Sequence, residues 1–480
     1  MQILHKLIYR VILVAAMSAL ISACAVGPDY VRSTVLVPES YKENKEWKVA
    51  EPRDDMFHGS WWEIFNDPEL NSLEEQVNIS NQNIAMAEAQ FRQATALVRT
   101  ATSSFFPVIT ANPAATRSLK SSNIGQGTSG TNTVYTAAPL NISSWELDVW
   151  GRIRRNVEAA QASAQASAAD LEGVRLSVHA ALAQNYFFVR ALDRQKQILD
   201  ATVQAYRRSL ELTTNQYKSG VVSRADLLQA DTQLKTIQAQ AIDVGVQRAQ
   251  TEHAIALLVG KPASGFSIHF SPLDATPPSM PVGVPSELLE RRPDIAGAER
   301  RAAAANAQIG AAKAAYFPTV TLTGSMGYQS TDTFSWFAWP SRFWSVGPAI
   351  AEALFDGGLR GALNDQARAV YDANVASYRQ TVLTGFQEVE DNLAALRVLE
   401  QEALAQDEAV KAARKSLEFS FNQYKQGTVS YLNVIVAQVA ALNSERTAVS
   451  ILGRRMTASV LLIKALGGGW ERKNQGTAGD

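Results

Sequence analysis

Apolar positions in this chain follow two rhythms. In the first they recur every three or four residues through stretches that hold no proline, from Pro139 to Pro262 and again after Pro348. Leu199, Val203, Tyr206, Leu210, Thr213 and Tyr217 step by 4 and 3, as do Ala230, Leu234, Ile237, Ala241 and Val244 beyond Gly220. In the second half Leu396, Leu399, Ala403, Gln406, Val410, Ala413, Leu417, Ser420 and Tyr424 keep those steps, followed by Leu432, Ile435, Val439 and Leu442. Gln406 and Ser420 weaken that seam. Heptad seams on both sides of a short glycine-containing turn predict an antiparallel helical hairpin, here twice. The rising helix of the first, from Gly151 to Lys218, runs about 68 residues or ~100 Å, too long for a compact globular core. Its Ala, Gln and Ser positions, plainest from Ala159 to Ala169, suit close neighbours on two sides and water on a third.

The second rhythm has period 2. Val320, Leu322, Gly324, Met326 and Tyr328 fall on one face, while Thr319, Thr321, Thr323, Ser325 and Gln329 fall on the other. A barrel strand between lipid and a wet lumen alternates in this way, and so does a soluble sheet with one solvated face. The neighbouring segment from Phe343 to Leu354 has Trp336, Trp339 and Trp344 at its start, as an interfacial girdle requires, which favours the membrane. The corresponding hairpin of the first half, Phe105 to Asp148, is interrupted by the polar run Ser118 to Thr133, predicted as an exposed loop. Each half thus supplies two strands. Four cannot close a barrel, and an open edge in lipid leaves backbone groups unsatisfied. Two copies would give eight strands and a filled interior; three would give twelve and a lumen, so a trimer is the smallest pore.

The halves are copies. Asn215-Gln216-Tyr217-Lys218-Ser219-Gly220-Val221-Val222-Ser223 returns 207 residues later as Asn422-Gln423-Tyr424-Lys425-Gln426-Gly427-Thr428-Val429-Ser430. Phe106-Pro107 returns as Phe317-Pro318, and Ile84-Ala85-x-Ala87-Glu88 as Ile295-Ala296-x-Ala298-Glu299, each 211 residues on. These marks divide the chain into a first repeat over 67–260 (strand hairpin 105–148, helical hairpin 151–258), a linker over 261–285, a second repeat over 286–466 (strand hairpin 316–355, helical hairpin 359–466) and a tail over 467–480.

The N-terminus adds an address. Lys6 and Arg10 precede an apolar run from Val11 to Ile21, too short to span a bilayer and typical of a secretory signal over 1–23. Ile21-Ser22-Ala23-Cys24 resembles a bacterial lipobox, which predicts cleavage before Cys24, an N-acyl and S-diacylglycerol lipid on that residue, and a lipidated strap over 24–66. Ala25 in place of Asp points to the outer membrane. With one Cys no internal disulfide exists, and no other cofactor is expected. A formal net charge of −1 provides no basic field for a nucleic-acid partner.

Candidate chemistry changes little. Gly125-Gln126-Gly127-Thr128-Ser129-Gly130 matches a dinucleotide fingerprint as a string but lacks the flanking strand and helix. His5, His58, His179, His253 and His269 have no metal-ligand spacing, and Glu388, Glu390 and Asp391 read as a solvated or lumen-facing charged face. No nucleophile motif is present, so the reading is of a protein that is not an enzyme.

Several strings together carry a resemblance: Trp61-Trp62-x-x-Phe65-x-Asp67-Pro68-x-Leu70-x-x-Leu73, Pro281-x-Gly283-x-Pro285-Ser286-x-Leu288-Leu289-x-Arg291-Arg292-Pro293-Asp294-Ile295, Ala314-Ala315-Tyr316-Phe317-Pro318, Phe355-Asp356-Gly357-Gly358 and Ala465-Leu466-Gly467-Gly468-Gly469-Trp470. The chain resembles the TolC-like, NodT-type outer-membrane efflux lipoproteins of RND tripartite pumps. The resemblance implies an α+β membrane protein built as a homotrimer: a twelve-stranded β-barrel in the outer membrane, a twelve-helix α-barrel in the periplasm and a mixed equatorial collar. It implies a passive exit duct for drugs and small molecules, docked by a periplasmic adaptor and an inner-membrane RND pump.

The periplasmic mouth then maps to Tyr424–Val436 with Tyr217–Asp226, where Tyr424 and Asp226 make the tip hydrogen bonds and ion pairs and Leu432, Asn433 and Val436 line the gate. The adaptor meets the turns at Lys218, Gly220, Ser223, Lys425, Gly427 and Ser430. Where family members carry acidic rings this chain has Asn433 and Val436, and Val429 stands where some have Arg. Leu432 and Val436 either pack a dry constriction or fill the hairpin core. The alternative to a duct is a lipid-anchored periplasmic coiled-coil scaffold or adaptor.

Overall fold

The structure, a computed structural model of the chain, describes residues 25–35, 37–44, 60–119, 131–278 and 291–468. Its principal elements run α1 (Pro68–Ser80), α2 (Gln82–Ser103), β1 (Ile109–Leu119), β2 (Thr131–Glu146), α3 (Arg152–Lys218), α4 (Arg224–Leu258), α5 (Pro293–Ala314), β3 (Thr319–Ser330), β4 (Arg342–Ala351), α6 (Leu359–Lys425) and α7 (Tyr431–Ala465). The duplication is visible in the lengths: α3 and α6 have 67 residues each, α4 and α7 have 35 each. Among the described residues no helix is long and apolar enough to cross a membrane.

The chain divides into two units, one over 1–34, 90–168 and 297–378, the other over 35–89, 169–296 and 379–480. The first holds one antiparallel sheet in the order β1-β2-β3-β4, so β1 and β4 each keep one edge unpaired among the described residues. The loop predicted at Ser118 to Thr133 is shorter than expected. Arg117 pairs with Thr133, Ser118 with Asn132 and Leu119 with Thr131, because cross-strand pairing outweighs local polarity; 120–130, with the glycine string, lie outside the described residues.

The strap Ala25–Thr34 lies on this unit, held mainly by Arg155. Its guanidinium donates to the Gly27 carbonyl at 3.3 Å, to Asp29 Oδ1 at 2.9 Å and to Glu158 at 2.8 Å, and Asn306 donates to the Pro28 carbonyl at 3.0 Å. Gly27 has φ +113° and approaches Gly310 so closely that a Cβ on it would sit 2.4 Å from the Gly310 Cα. Only glycine fits there. The lipidation site Cys24 lies outside the described residues.

The second unit holds both hairpin turns with α4 and α7 and the later parts of α3 and α6. Leu199, Val203 and Tyr206 of α3 pack on Leu234, Ile237, Ala241 and Val244 of α4, the predicted seam. It ends at Thr213, since Tyr217 is exposed. In α6 Leu396, Leu399 and Tyr424 are buried while Gln406 and Ser420 are half-buried. In α7 the predicted seam is displaced by one residue. Tyr431, Val434, Gln438 and Ala441 are buried with Leu442, whereas Leu432 and Val439 are exposed and Ile435 is half-buried.

Two arginines pin extended segments to the helices of this unit. Buried Arg190 donates to Glu69 and to the His269 carbonyl, both at 2.5 Å, beside Asp193, whose carboxylate takes Arg248 at 2.7 Å and the Ser271 amide at 3.0 Å. Its counterpart 207 residues on, Arg397, pairs with Glu43 at 2.5 Å. The acidic cluster predicted as a charged face serves the same purpose in part: Glu388 takes Arg292 at 2.7 Å, and Glu390 accepts the Lys42 and Glu43 amides at 2.7 and 3.0 Å. Asp67 caps α1 and accepts from Tyr186 at 2.6 Å. His179, stacked on Trp62, has Nδ1 2.6 Å from Glu74 and Nε2 3.0 Å from Asn78.

Candidate functional site

The hairpin turns use the same backbone twice. Gly220 (φ 75°) and Gly427 (φ 71°) lie just past α3 and α6 in the left-handed region. The Gly220 amide donates to Tyr217 and the Val221 amide to Gln216; the Gly427 amide donates to Tyr424 and the Thr428 amide to Gln423. This paired closure satisfies the last carbonyls of each rising helix, and glycine carries it without a Cβ clash. Lys218, Gly220, Ser223, Lys425, Gly427 and Ser430 are all exposed.

The descending helices start differently. On α4, Ser223 and Asp226 form a capping box: Ser223 Oγ accepts the Asp226 amide at 3.2 Å, and the Asp226 carboxylate accepts the Ser223 amide at 3.0 Å and hydroxyl at 2.7 Å. On α7, Ser430 makes no side-chain cap, and the position matching Asp226 is Asn433. Asp226 is thus committed to its own helix, and no ion pair to it forms among the described residues. Its charge and, more strongly, burial push the Tyr424 hydroxyl up from its ordinary pKa. Tyr424 is buried, 3.1 Å from Thr213 Oγ1 of the other hairpin, with its ring on Tyr431 at 5.2 Å.

The three gate positions share one outward face. Leu432 is 53% and Val436 63% exposed, and Asn433 and Val439 are exposed beside them. The reading that Leu432 and Val436 fill the hairpin core is therefore corrected: Tyr431 and Val434 take that role. Leu432, Val436 and Val439, stepping by 4 and 3, make an apolar stripe left uncovered by the described residues. The matching positions on α4 are Ala225, Gln229 and Thr232, so the stripe belongs to the second repeat alone.

The sheet has a second uncovered apolar surface. Register puts Leu140 opposite Met326 and Met326 opposite Trp344, with Gly324 opposite Val346 and Val320 opposite Ile350. Trp344 is 79% and Ile350 72% exposed, and Leu140, Met326 and Val346 are exposed with them. The other face is polar: Thr323 donates to the Gly347 carbonyl at 3.1 Å and Ser325 bonds Ser345 at 2.8 Å. Aromatics flank both ends. Tyr135, Tyr328, Trp336 and Phe337 cluster at one; Trp150 stacks on Phe317 at 4.8 Å near exposed Phe106 and Phe355 at the other. A soluble sheet would bury its apolar face. Among the described residues this one leaves its apolar face exposed, with aromatic side chains at both ends.

Sequence reasoning missed the arginine clamps and a buried polar layer of Tyr206, Ser209, Tyr431 and Gln438 between the hairpins. The recurrence of Arg190 as Arg397 at the repeat offset was the available sign of the first. Polar residues inside heptad seams were the sign of the second.

Comparison with known proteins defines the class. The family model for "Outer membrane efflux protein" matches residues 73–261 and 284–468, and the chain belongs to that family. It is 30% identical over 459 residues to the toluene efflux pump outer membrane protein TtgC of Pseudomonas putida, covering 95% of each chain. It is 28% identical to the pyoverdine export outer membrane protein OpmQ of Pseudomonas aeruginosa, covering 96% of this chain and 97% of that one. The solved structure of the outer-membrane channel OprN superposes with a TM-score of 0.87 at 31% identity, over 93% of this chain and 100% of that one.

Proposed function

We propose that this chain is the outer-membrane exit duct of a tripartite efflux pump, a homotrimer anchored by lipid on Cys24, with no catalytic activity of its own. The observation that carries the reading is the four-stranded sheet, whose two edges are unpaired and whose apolar face is exposed among the described residues. Three copies pair those edges into twelve strands, remove every open edge from lipid and leave a lumen lined by Thr321, Thr323, Ser325 and Ser345. The helices of three chains form the periplasmic section.

At its mouth the stripes of Leu432, Val436 and Val439 from three copies meet on the axis and seal by excluding water. Their exposure and their absence from the first repeat support this. The exposed turns at Lys218–Ser223 and Lys425–Ser430 are the docking points for a periplasmic adaptor, behind which an RND pump loads cargo. Relatives named for toluene efflux and pyoverdine export support a cargo of small organic molecules. Reconstitution of the purified protein in planar bilayers tests the reading. Leu432→Asp and Val436→Asp are expected to raise conductance and to admit large antibiotics in cells; unchanged permeability in both would put the seal elsewhere. Deleting the two turns is expected to lower crosslinking to the adaptor, and undiminished crosslinking would contradict the docking assignment.

A further inference from the structure

The helices of the first unit enclose a groove of about 410 Å³, within the size range of small-molecule pockets. Its floor is a layer of methyl groups, from Ala159 and Ala160 of α3 and Ala304 and Ala305 of α5, flanked by Leu97 of α2 and Val370 of α6. Ala159, Ala304 and Ala305 are buried, while Leu97 is 56% and Val370 48% exposed. The amides of Asn156, Gln308 and Asn374 complete the lining. Asn374 donates to the Val370 carbonyl of its own helix at 2.8 Å, whereas Asn156 and Gln308 make no hydrogen bond among the described residues. Arg301, the charged side chain of the lining, is engaged by a partner of its own.

The groove lies on the side of α5 turned away from the strap. Asn306 and Gly310 meet the strap at Pro28 and Gly27, and Arg301, Ala305 and Gln308 sit about half a helical turn round from them. The strap leads to Cys24, so its face is the one turned outward in the proposed duct, and the groove opens to the lumen. Beside the sheet that lumen is built otherwise, from Thr323, Ser325 and Ser345, whose hydroxyls bond across the strands. Here Leu97 and Val370 stand over a methyl floor and gain by being covered, in proportion to the apolar area that leaves water. Alanines keep the floor flat, so a planar ring can lie across α3 and α5 where longer side chains would fill the space. The lining holds no uncommitted charge to attract an ion, and its amides offer a guest one or two hydrogen bonds.

We infer that this groove is a binding site for small neutral aromatic molecules bearing a hydroxyl or carbonyl group, a place where cargo rests within the duct. The inference rests on the duct reading and adds to it a site with affinity, which a passive conduit does not need.

The test uses the full-length mature protein in lipid nanodiscs and the photoreactive probe meta-hydroxybenzophenone, which has two rings, one hydroxyl and no charge at neutral pH. On irradiation its carbonyl oxygen takes a hydrogen atom from a nearby C–H bond and the two carbon radicals join, so the bound probe marks its surroundings in peptide maps. Labelling is expected to saturate, to concentrate on the peptides that carry Leu97, Ala304 and Val370, and to be competed by naphthol. Ala160→Trp, at a half-buried position, fills the groove and is expected to abolish it. Val370→Asn removes an apolar wall without filling anything and is expected to lower it about tenfold. Labelling that spreads evenly over the chain, that dodecanol displaces as well as naphthol does, or that stays unchanged in both variants at normal native mass overturns the inference. Bilayer conductance of the same samples reads the duct separately. Saturable labelling of the groove with no conductance in any sample upholds the site and overturns the duct, and ordinary conductance with scattered labelling overturns the site alone.

Discussion

Glu74 and His179 meet in a buried site, Glu74 Oε2 lying 2.6 Å from His179 Nδ1. Burial raises the Glu74 carboxyl well above its usual range and lowers His179 to about 4, so at neutral pH the ring is neutral. The two groups respond to pH in opposite senses. For Glu74, with its folded pKa raised, the stabilising contribution is present in acid and lost as pH rises above the unfolded carboxyl's range. For His179, with its folded pKa depressed, it is present above about pH 6.5 and lost as pH falls toward 4. Glu74→Gln, which keeps a donor toward the ring, is therefore expected to be more stable than the parent at pH 7, with the gap closing below about pH 4.5. Thermal unfolding across that range measures it, and an equal gap at both ends would mean that the carboxyl ionises freely in the fold. At the same scale, Leu432→Asp places a charge on the proposed dry stripe without touching the buried Tyr431–Val434 core, so its effect falls on permeability and leaves thermal stability nearly unchanged.

The duplicated elements show what the sequence made legible and what it hid. Both hairpins, their turns and the seam of α3 with α4 follow from spacing, because Leu234, Ile237 and Ala241 are flanked by polar residues that mark one face. In α7 the run Tyr431-Leu432-Asn433-Val434-Ile435-Val436 is apolar nearly all round, so two stripes compete and periodicity cannot say which is inside. The packing of α6, α4 and α3 chooses Tyr431 and Val434. The other stripe stays exposed among the described residues, as the proposed axial contact between copies would require. Side-chain capping was equally hidden: Ser223 and Ser430 are identical letters, and only Asp226 against Asn433 separates them. Ser223→Ala is accordingly expected to cost about 1 kcal/mol of first-hairpin stability, while Ser430→Ala costs a few tenths. Hydrogen exchange of the first turns of α4 and α7 distinguishes them, and equal losses would contradict the asymmetry.

At the scale of the whole molecule, the proposal needs more than one copy of the chain. Among the described residues the sheet ends in two unpaired edges, its apolar face is exposed between aromatic side chains, and α7 carries an exposed apolar stripe. The strand rhythm predicted the sheet and the need for closure by other copies. The rhythm itself left lipid and soluble sheets undivided, because alternation records only that one face is apolar; the tryptophans at the strand start favoured the membrane, and the exposure of that face supports the same proposal. In the proposed trimer each open feature would be satisfied: edges would pair, the exposed face would meet lipid and the stripes would meet one another. The measurement that tests this most directly is the native mass of the detergent-extracted mature protein against its denatured mass. The account predicts a ratio of three, with a denatured chain that begins at Cys24 and carries acyl groups. A monomer would leave the four strands with no means of closing in lipid and would contradict it, making the tethered scaffold the better description.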